Sequence, residues 1–392
     1  MISVQEAKHI IKHSVTDDRI GQVPLKEAFG FILANDVFAT VDIPNFAQSS
    51  MDGYAIKFED KHKTLTIIGE MAAGATKQLA IENGQATRIF TGAPLPIGAD
   101  TVVMQEKVTV DNKVLTAQDN NLSEGTNVRT KGAEVRSGEL AMAKGTYLSA
   151  AALGFLAGIG CTHVDIYTAP IVTIILTGNE LQEPGKPLEF GQVYEANSVM
   201  LTAALNKAGI EDITILHSED NPETLAAVLE QALENSDVVL LNGGVSVGDY
   251  DYVVGASQAC GIKQKFHKIK QKPGKPLFFG TKEAKLVFGL PGNPSSGLTC
   301  FYEYVLPILE QSMHKEDSVI STIATITHNY AKPNGLTHFI KAFYKEGRVT
   351  PLHAQESFRL HSFAQANCFI VLSEESTGIM AGDTVDVHLL PI

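Results

Sequence analysis

From Pro170 to about Asp317 the chain alternates short, β-branched apolar runs with helix-like segments, and this alternation limits the possible folds more than any other feature. "IVTIIL" precedes "TGNEL", "SVMLTAALNKAG" has helical spacing, "ITIL" is a strand, and "PETLAAVLEQALENS" is a second helix. "DVVLL" follows and runs straight into "NGGVSVGDYDY". Short apolar runs without polar alternation are interior strands covered on both faces. Strands alternating with helices predict a parallel α/β sheet, whose ligand loops sit at the carboxyl ends of its strands.

The flanking regions have a different texture. Residues 1–45 read as a helix, a turn, a second short helix and an extended exit. Residues 46–134 carry short runs such as "TLTIIG", "QATRIF" and "TVVMQEKVTV", broken by Gly, Asn and Pro, which predict a small β domain. The apolar helix "LSAAALGFLAGIG" (residues 148–160) then groups with the N-terminal helices, so the β region is an insertion. After about residue 317, "VISTIATIT", "THFIKAFY", "CFIVLS" and "DTVDVHLL" predict a terminal β-barrel. The expected fold is a multidomain α/β chain. A helical linker domain (1–45 and 135–169) holds the inserted β domain (46–134), followed by the α/β domain (170–317) and the C-terminal barrel (318–392).

A chain of 392 residues with 44% hydrophobic content has enough apolar surface for several cores. Its formal charge of −13 argues against a broad grip on nucleic acid or anionic lipid, although a local basic pocket for phosphate remains open. Cys161, Cys260, Cys300 and Cys368 form no CxxC pair, a pattern of reducing compartments without a cysteine metal site. The amino terminus lacks the apolar core of a signal peptide, and no stretch is long enough to span a membrane, so a cytoplasmic location is expected. His9 and His13 lie one helical turn apart, but with no third ligand nearby they read as a solvated helix face.

Four strand-end loops carry candidate chemistry. "TGNEL" (residues 177–181) offers Thr177, Gly178 and Glu180. The glycine loop offers Gly243, Gly244, Ser246, Gly248, Asp249 and Asp251, where glycines admit a ligand to backbone N–H groups and the side chains add acceptors and metal ligands. "KIKQKPGKP" (268–276) concentrates Lys268, Lys270, Lys272 and Lys275 in an otherwise acidic protein; it is either a phosphate contact or a charged edge strand protected from aggregation. "GLPGNPSSG" (289–297) is either a pocket wall or a rigid turn. In the β insertion, "SSMDGYA" places Asp52 before a glycine, and "FTGAPLPIGAD" surrounds Thr91 with turn residues. An aspartate before glycine is ordinary turn chemistry, and spacing alone does not mark Asp52 as catalytic.

In this order, "PNFAQSSMDGYA", "FTGAPLPIGADTVVMQE", "TGNEL", "NGGVSVGDYDY", "KPGKP" and "GLPGNPSSG" closely resemble the molybdopterin molybdenumtransferases, the MoeA family, which includes the C-terminal domain of gephyrin. The resemblance covers essentially the whole chain. It implies an elongated homodimer whose α/β domain is shared with molybdopterin adenylyltransferases. It also implies binding of adenylylated molybdopterin, insertion of molybdate with Mg2+, and release of AMP. By motif it makes Asp52 the leading catalytic carboxylate and Thr91 its neighbour. Glu180, Asp220, Asp251, Lys268, Lys272 and Lys275 fall in the pterin, phosphate and metal pocket, with Pro291 and Pro294 shaping its wall and the glycine loop as its cradle. The cleft is implied to be completed across the dimer. Where relatives carry "D-[ST]-N-R", this chain reads "EANS": Glu195 replaces an aspartate as magnesium ligand, and Ser198 replaces an arginine that would touch phosphate. Glu134 also stands where an aspartate is expected. Two other readings exist, a molybdopterin adenylyltransferase and a non-catalytic gephyrin-like scaffold. The β insertion argues against the first. The absence of an appended recognition segment argues against the second. The adenylyltransferase and molybdoenzyme acceptors are the implied protein partners.

Overall fold

The computed structural model describes residues 1–15, 18–245 and 252–392. The chain divides into two compact units, Gln22–Ile166 and the combination of Met1–Gly21 with Tyr167–Ile392.

In the larger unit, six strands form one sheet in the spatial order Ile213–Ser218, Val172–Thr177, Val238–Asn242, Lys285–Leu290, Phe278–Lys282, Lys263–His267. The first four are parallel. The last two join antiparallel, so the sheet is mixed rather than wholly parallel as the alternation predicts. The cause is local: only Glu283 and Ala284 separate Phe278–Lys282 from Lys285–Leu290, and so short a connection can only turn the chain back on itself.

Val172–Thr177 and Val238–Asn242 are buried at every position. Their side chains divide between two cores. Val172, Ile174, Leu176, Val238 and Leu240 pack with Leu201 and Leu205 of the helix Asn197–Ala208. Ile175, Val239 and Leu241 pack with Leu225 and Leu229 of the helix Pro222–Asn235. The period of two in a strand thus splits one apolar run between both faces of the sheet. Each such side chain contributes about 1.5–3 kcal/mol by leaving water. Val172–Thr177 comes first in the chain, and its neighbours lie on opposite sides. The connections therefore diverge at its carboxyl end and leave a crevice there.

After this sheet, the strands Ile320–Ile326, Thr337–Lys345, Arg348–Pro351, Cys368–Leu372 and Thr384–Leu389 pair in a ring that closes on itself, a barrel around Ile340, Val349, Ile370 and Val387. The short strand Gln271–Lys272 adds to it by pairing in parallel with Thr337 and His338.

The smaller unit holds a six-stranded sheet in the order Thr101–Met104, Gly53–Ile56, Gln85–Ile89, Thr64–Met71, Val114–Ala117, Val108–Asp111. Beside it, one α-helix, Ala150–Gly158, packs Ala152 and Leu156 with Leu33 and Val164 and with the ribbon of Val37–Phe38 and Leu140–Met142, while the ribbon of Gln48–Ser49 and Val128–Arg129 packs Val128 on the sheet. Two expectations about the helical linker change. The helix Val4–Lys12, capped by reciprocal bonds between Ser3 and Glu6, buries Val4, Ala7 and Ile11 in the core of the larger unit instead. The second short helix is only the single 3-10 turn Leu25–Glu27. Apolar spacing defines a helix face, but not the surface that covers it.

Candidate functional site

All four parallel strands end on one cavity of about 410 Å³. Thr177 and Gly178 follow the first strand, Asp220 the second, Asn242 to Val245 the third, and Gly292 to Pro294 the fourth. Glu180, Tyr194 and Asn197 complete much of the remaining wall. Glycine is required here by space as well as by angle. Gly243 has φ +93°, and a Cβ on it would lie 2.5 Å from the Thr177 carbonyl oxygen and 2.7 Å from its hydroxyl. Gly292 passes 3.5 Å from the Gly243 Cα by the same measure.

The floor of the cavity is an amide network. The Asn242 Nδ2 donates to the Pro291 carbonyl (3.2 Å), and the Asn197 Nδ2 donates to Asn242 Oδ1 (2.6 Å) and the Gly292 carbonyl (2.8 Å). Thr177 Oγ1 and Asn197 Oδ1 are buried with no partner among the described residues. At the rim, the Glu180 carboxylate lies over Gly178, and Asp220 accepts from the Asn179 N–H at 3.4 Å. Neither Glu180 nor Asp220 is fully buried.

The other sequence candidates sit elsewhere. Pro294 lines the cavity, while Pro291 contributes through its carbonyl. Lys268, Lys272 and Lys275 do not line it, although their loop leaves the same edge of the sheet. Lys272 and Lys275 are exposed. Lys272 pairs in register with His338, whose imidazole is pushed down to about 4 by burial and then by the charges of Lys332 and Lys272. The Glu195 carboxylate points into the start of its own helix, accepting the Ser198 N–H at 2.8 Å and the Ser198 hydroxyl. Glu195 and Ser198 are both buried, and neither lines the cavity. Ser246 and Asp251, with Gly248 and Asp249, lie outside the described residues.

Among the described residues no three His, Cys, Asp or Glu side chains converge as a protein-only metal cage. Magnesium does not need one. It is commonly held by one or two carboxylates together with substrate phosphates and waters. Glu180 and Asp220 at the rim, with the Thr177 hydroxyl that has no partner among the described residues, are hard oxygen donors of that kind and fit such an ion.

The smaller unit carries the second candidate. Gly53–Ile56 runs between Gln85–Ile89 and Thr101–Met104. A Cβ on Gly53 would come within 2.0 Å of the Val103 carbonyl, so this strand can approach its neighbour only with glycine there. The pairing sets Asp52 beside Thr91, which donates both its main-chain N–H (2.8 Å) and its hydroxyl (2.9 Å) to Asp52 Oδ1. Both residues are exposed. These two bonds, the main-chain one foremost, and the charge of Arg88 hold the Asp52 carboxyl below the usual aspartate range.

Arg88 is a residue that sequence reasoning missed. Its guanidinium donates to the Gly53 carbonyl (3.0 Å) and Gln105 Oε1 (2.6 Å), and lies 5.1 Å and 4.9 Å from the ring centres of Tyr54 and Phe90. Tyr194, Asn197 and Asn242 were missed as well. Asn197 sits in the very segment "EANS" that drew attention to its neighbours, and Asn242 in the quoted "NGG". An asparagine at a strand end or helix start carries the same sequence signal whether it caps or binds.

Comparison with known proteins agrees with the motif order. The family described as "MoeA N-terminal region (domain I and II)" matches residues 2–160. "Probable molybdopterin binding domain" matches 173–311, and "MoeA C-terminal region (domain IV)" matches 324–390. A protein named molybdopterin molybdenumtransferase from Nostoc sp. is 35% identical, over 94% of this chain and 88% of its own. One of the same name from Haemophilus influenzae is also 35% identical, over 93% and 94%. Two crystal structures of the molybdopterin biosynthesis MoeA protein from Pyrococcus horikoshii superimpose with TM-scores of 0.87 and 0.79 at 29% and 28% identity. They cover 99% of this chain and 99% and 100% of their own. With family matches in both units and relatives aligned along nearly its whole length, the chain belongs to the MoeA family of molybdopterin molybdenumtransferases, enzymes of molybdenum cofactor biosynthesis.

Proposed function

We propose that this protein transfers molybdenum from molybdate to adenylylated molybdopterin and releases AMP. The observation that carries the reading is the Asp52–Thr91 pair, an ionised, doubly bonded carboxylate on the surface of the β insertion. With Oδ1 committed to Thr91, Oδ2 is the oxygen that accepts a proton or orients a water as an oxygen leaves molybdate. Thr91 acts through Asp52, keeping it ionised and fixed. The cavity at the sheet edge receives the nucleotide and pterin portion of the substrate, with Gly243 and Gly244 admitting the backbone close to it. Lys268, Lys272 and Lys275 supply positive charge for the phosphates and oxyanion. Glu180 and Asp220 would hold Mg2+, with Asp251 as a further candidate, whereas the Glu195 carboxylate is taken up by Ser198. When bound, the ion offsets phosphate charge beside two carboxylates. The reading includes a homodimer in the cytoplasm that receives substrate from an adenylyltransferase and passes the cofactor to molybdoenzymes. Among the described residues no helix is long and apolar enough to cross a membrane.

The test is to incubate the protein with adenylylated molybdopterin and Mg2+, with and without molybdate, and follow AMP and reconstitution of an apo-molybdoenzyme. Both should depend on molybdate. Consumption of ATP with free molybdopterin would instead establish the adenylyltransferase reading.

A further inference from the structure

We propose that Asn197 and Tyr194 read the planar amino-heterocycle of the substrate, Asn197 at its edge and Tyr194 at its face. The inference rests on the reading that the strand-end cavity takes the nucleotide and pterin portion of the substrate.

The orientation of the amides follows from their partners. The Pro291 carbonyl can only accept, so Asn242 must present Nδ2 to it and turn Oδ1 toward Asn197. Asn197 then faces two acceptors, Asn242 Oδ1 and the Gly292 carbonyl, and must meet both with Nδ2. Flipping either side chain would set acceptor against acceptor. Asn197 Oδ1 is therefore the atom left over, on a residue only 8% exposed that lines the cavity, with no partner among the described residues. Native interiors rarely leave such an atom unpaired without a reason.

An amide oxygen accepts hydrogen bonds and repels phosphate oxygens, so it selects a ligand group bearing a donor. Tyr194 narrows the choice to a flat one. It is the aromatic residue among the described residues lining the cavity, and its hydroxyl donates to the Lys186 carbonyl (2.9 Å), which fixes the ring. About half of its surface is open. A ring platform beside an edge acceptor suits an amino-substituted heteroaromatic group. Adenine and pterin both have that chemistry.

Calorimetric titration of the intact native protein separates the two sources. AMP is compared with IMP, and 6-hydroxymethylpterin with its deaminated lumazine counterpart. In each pair an amino donor is exchanged for a carbonyl acceptor. The native protein should prefer the amino member of one pair at least about tenfold, and that pair names the heterocycle. Tyr194→Ala should weaken the preferred ligand about tenfold, and Tyr194→Phe, which keeps the ring, should change it far less. Asn197→Ala should bring the amino-to-oxo preference close to one; a variant that lost stability but kept the preference would assign Asn197 a purely structural role. If the native protein bound both members of each pair equally, the inference would be overturned whether or not the variants fold. Absence of any binding, ribose 5-phosphate included, would overturn the reading of the cavity itself and this inference with it.

Discussion

The Asp52 shelf and the floor of the strand-end cavity keep their polar groups in opposite conditions. Asp52 is exposed and charged, and the Thr91 main chain and side chain already bond one of its oxygens. On the cavity floor, inside the rim carboxylates Glu180 and Asp220, the polar atoms are buried and neutral, and two of them, Thr177 Oγ1 and Asn197 Oδ1, have no partner among the described residues. An exposed carboxylate is cheap to keep ionised, because water solvates it and two donors favour the charged form. A buried, unpaired acceptor is costly until a ligand donor arrives, and that cost becomes selectivity. On the proposed reading, the shelf acts on a reacting group and the cavity chooses what sits in it.

The sharpest way to break this comparison is Asp52→Ala. If the shelf acts and the cavity binds, turnover should fall about 10²–10⁴-fold, while AMP affinity and thermal stability stay near native values. Single-turnover AMP release and a binding titration measure the two separately. A parallel loss of affinity would show that the shelf also binds.

Next in size is the contrast between Gly243 and Gly92, which share positive φ angles of +93° and +81°. Alanine at Gly243 meets Thr177 backbone at 2.5 Å, whereas at Gly92 the nearest atom is the Gln48 side chain at 3.7 Å. Gly243→Ala should therefore cost roughly 2–5 kcal/mol from strain plus overpacking and disturb AMP binding. Gly92→Ala carries only the strain, about 1–2 kcal/mol. Urea unfolding of both variants gives the difference.

Thr91→Val leaves the main-chain bond to Asp52 and removes the hydroxyl one. The Asp52 carboxyl then rises back toward the ordinary aspartate range. A carboxylate needed in its charged form loses activity as pH falls through its pKa, so the acid limb of the rate profile should move to higher pH. Near neutral pH the change should be small. A profile with an unmoved acid limb would show that Asp52 is not the titrating group.

The smallest expected effect tests Glu195 and Ser198. Ser198→Ala removes one of two bonds to the Glu195 carboxylate, in the first turn of Asn197–Ala208. It should cost about 0.5–1.5 kcal/mol of stability, as helix-start bonds do, and leave the magnesium dependence of nucleotide binding unchanged. A stronger magnesium requirement would instead place these residues with the phosphates.

Much of the architecture was legible without coordinates. The buried strands "IVTIIL" and "DVVLL", the strand-end position of "TGNEL", the glycine loop and "PGNP", and the two β-rich regions all follow from apolar periodicity and turn residues within short windows. Asp52 was visible only through its motif, because an Asp-Gly step reads as a turn until a second strand brings Thr91 to it.

Local pattern by itself determined that a crevice would open where the strands end, because strand order and chirality constrain the loops that leave it. Only the tertiary structure decided what each side chain in and around that crevice does. It sent the Val4–Lys12 helix to the core of the larger unit and turned Phe278–Lys282 against the direction of the other five strands of its sheet. It also committed Glu195 to its own helix start and, by giving Asn197 Nδ2 two acceptors from distant strand ends, left Asn197 Oδ1 without a partner among the described residues. The physical reason is that periodicity depends on residues a few positions apart, whereas burial partners and hydrogen-bond satisfaction depend on atoms that meet only after the chain has closed.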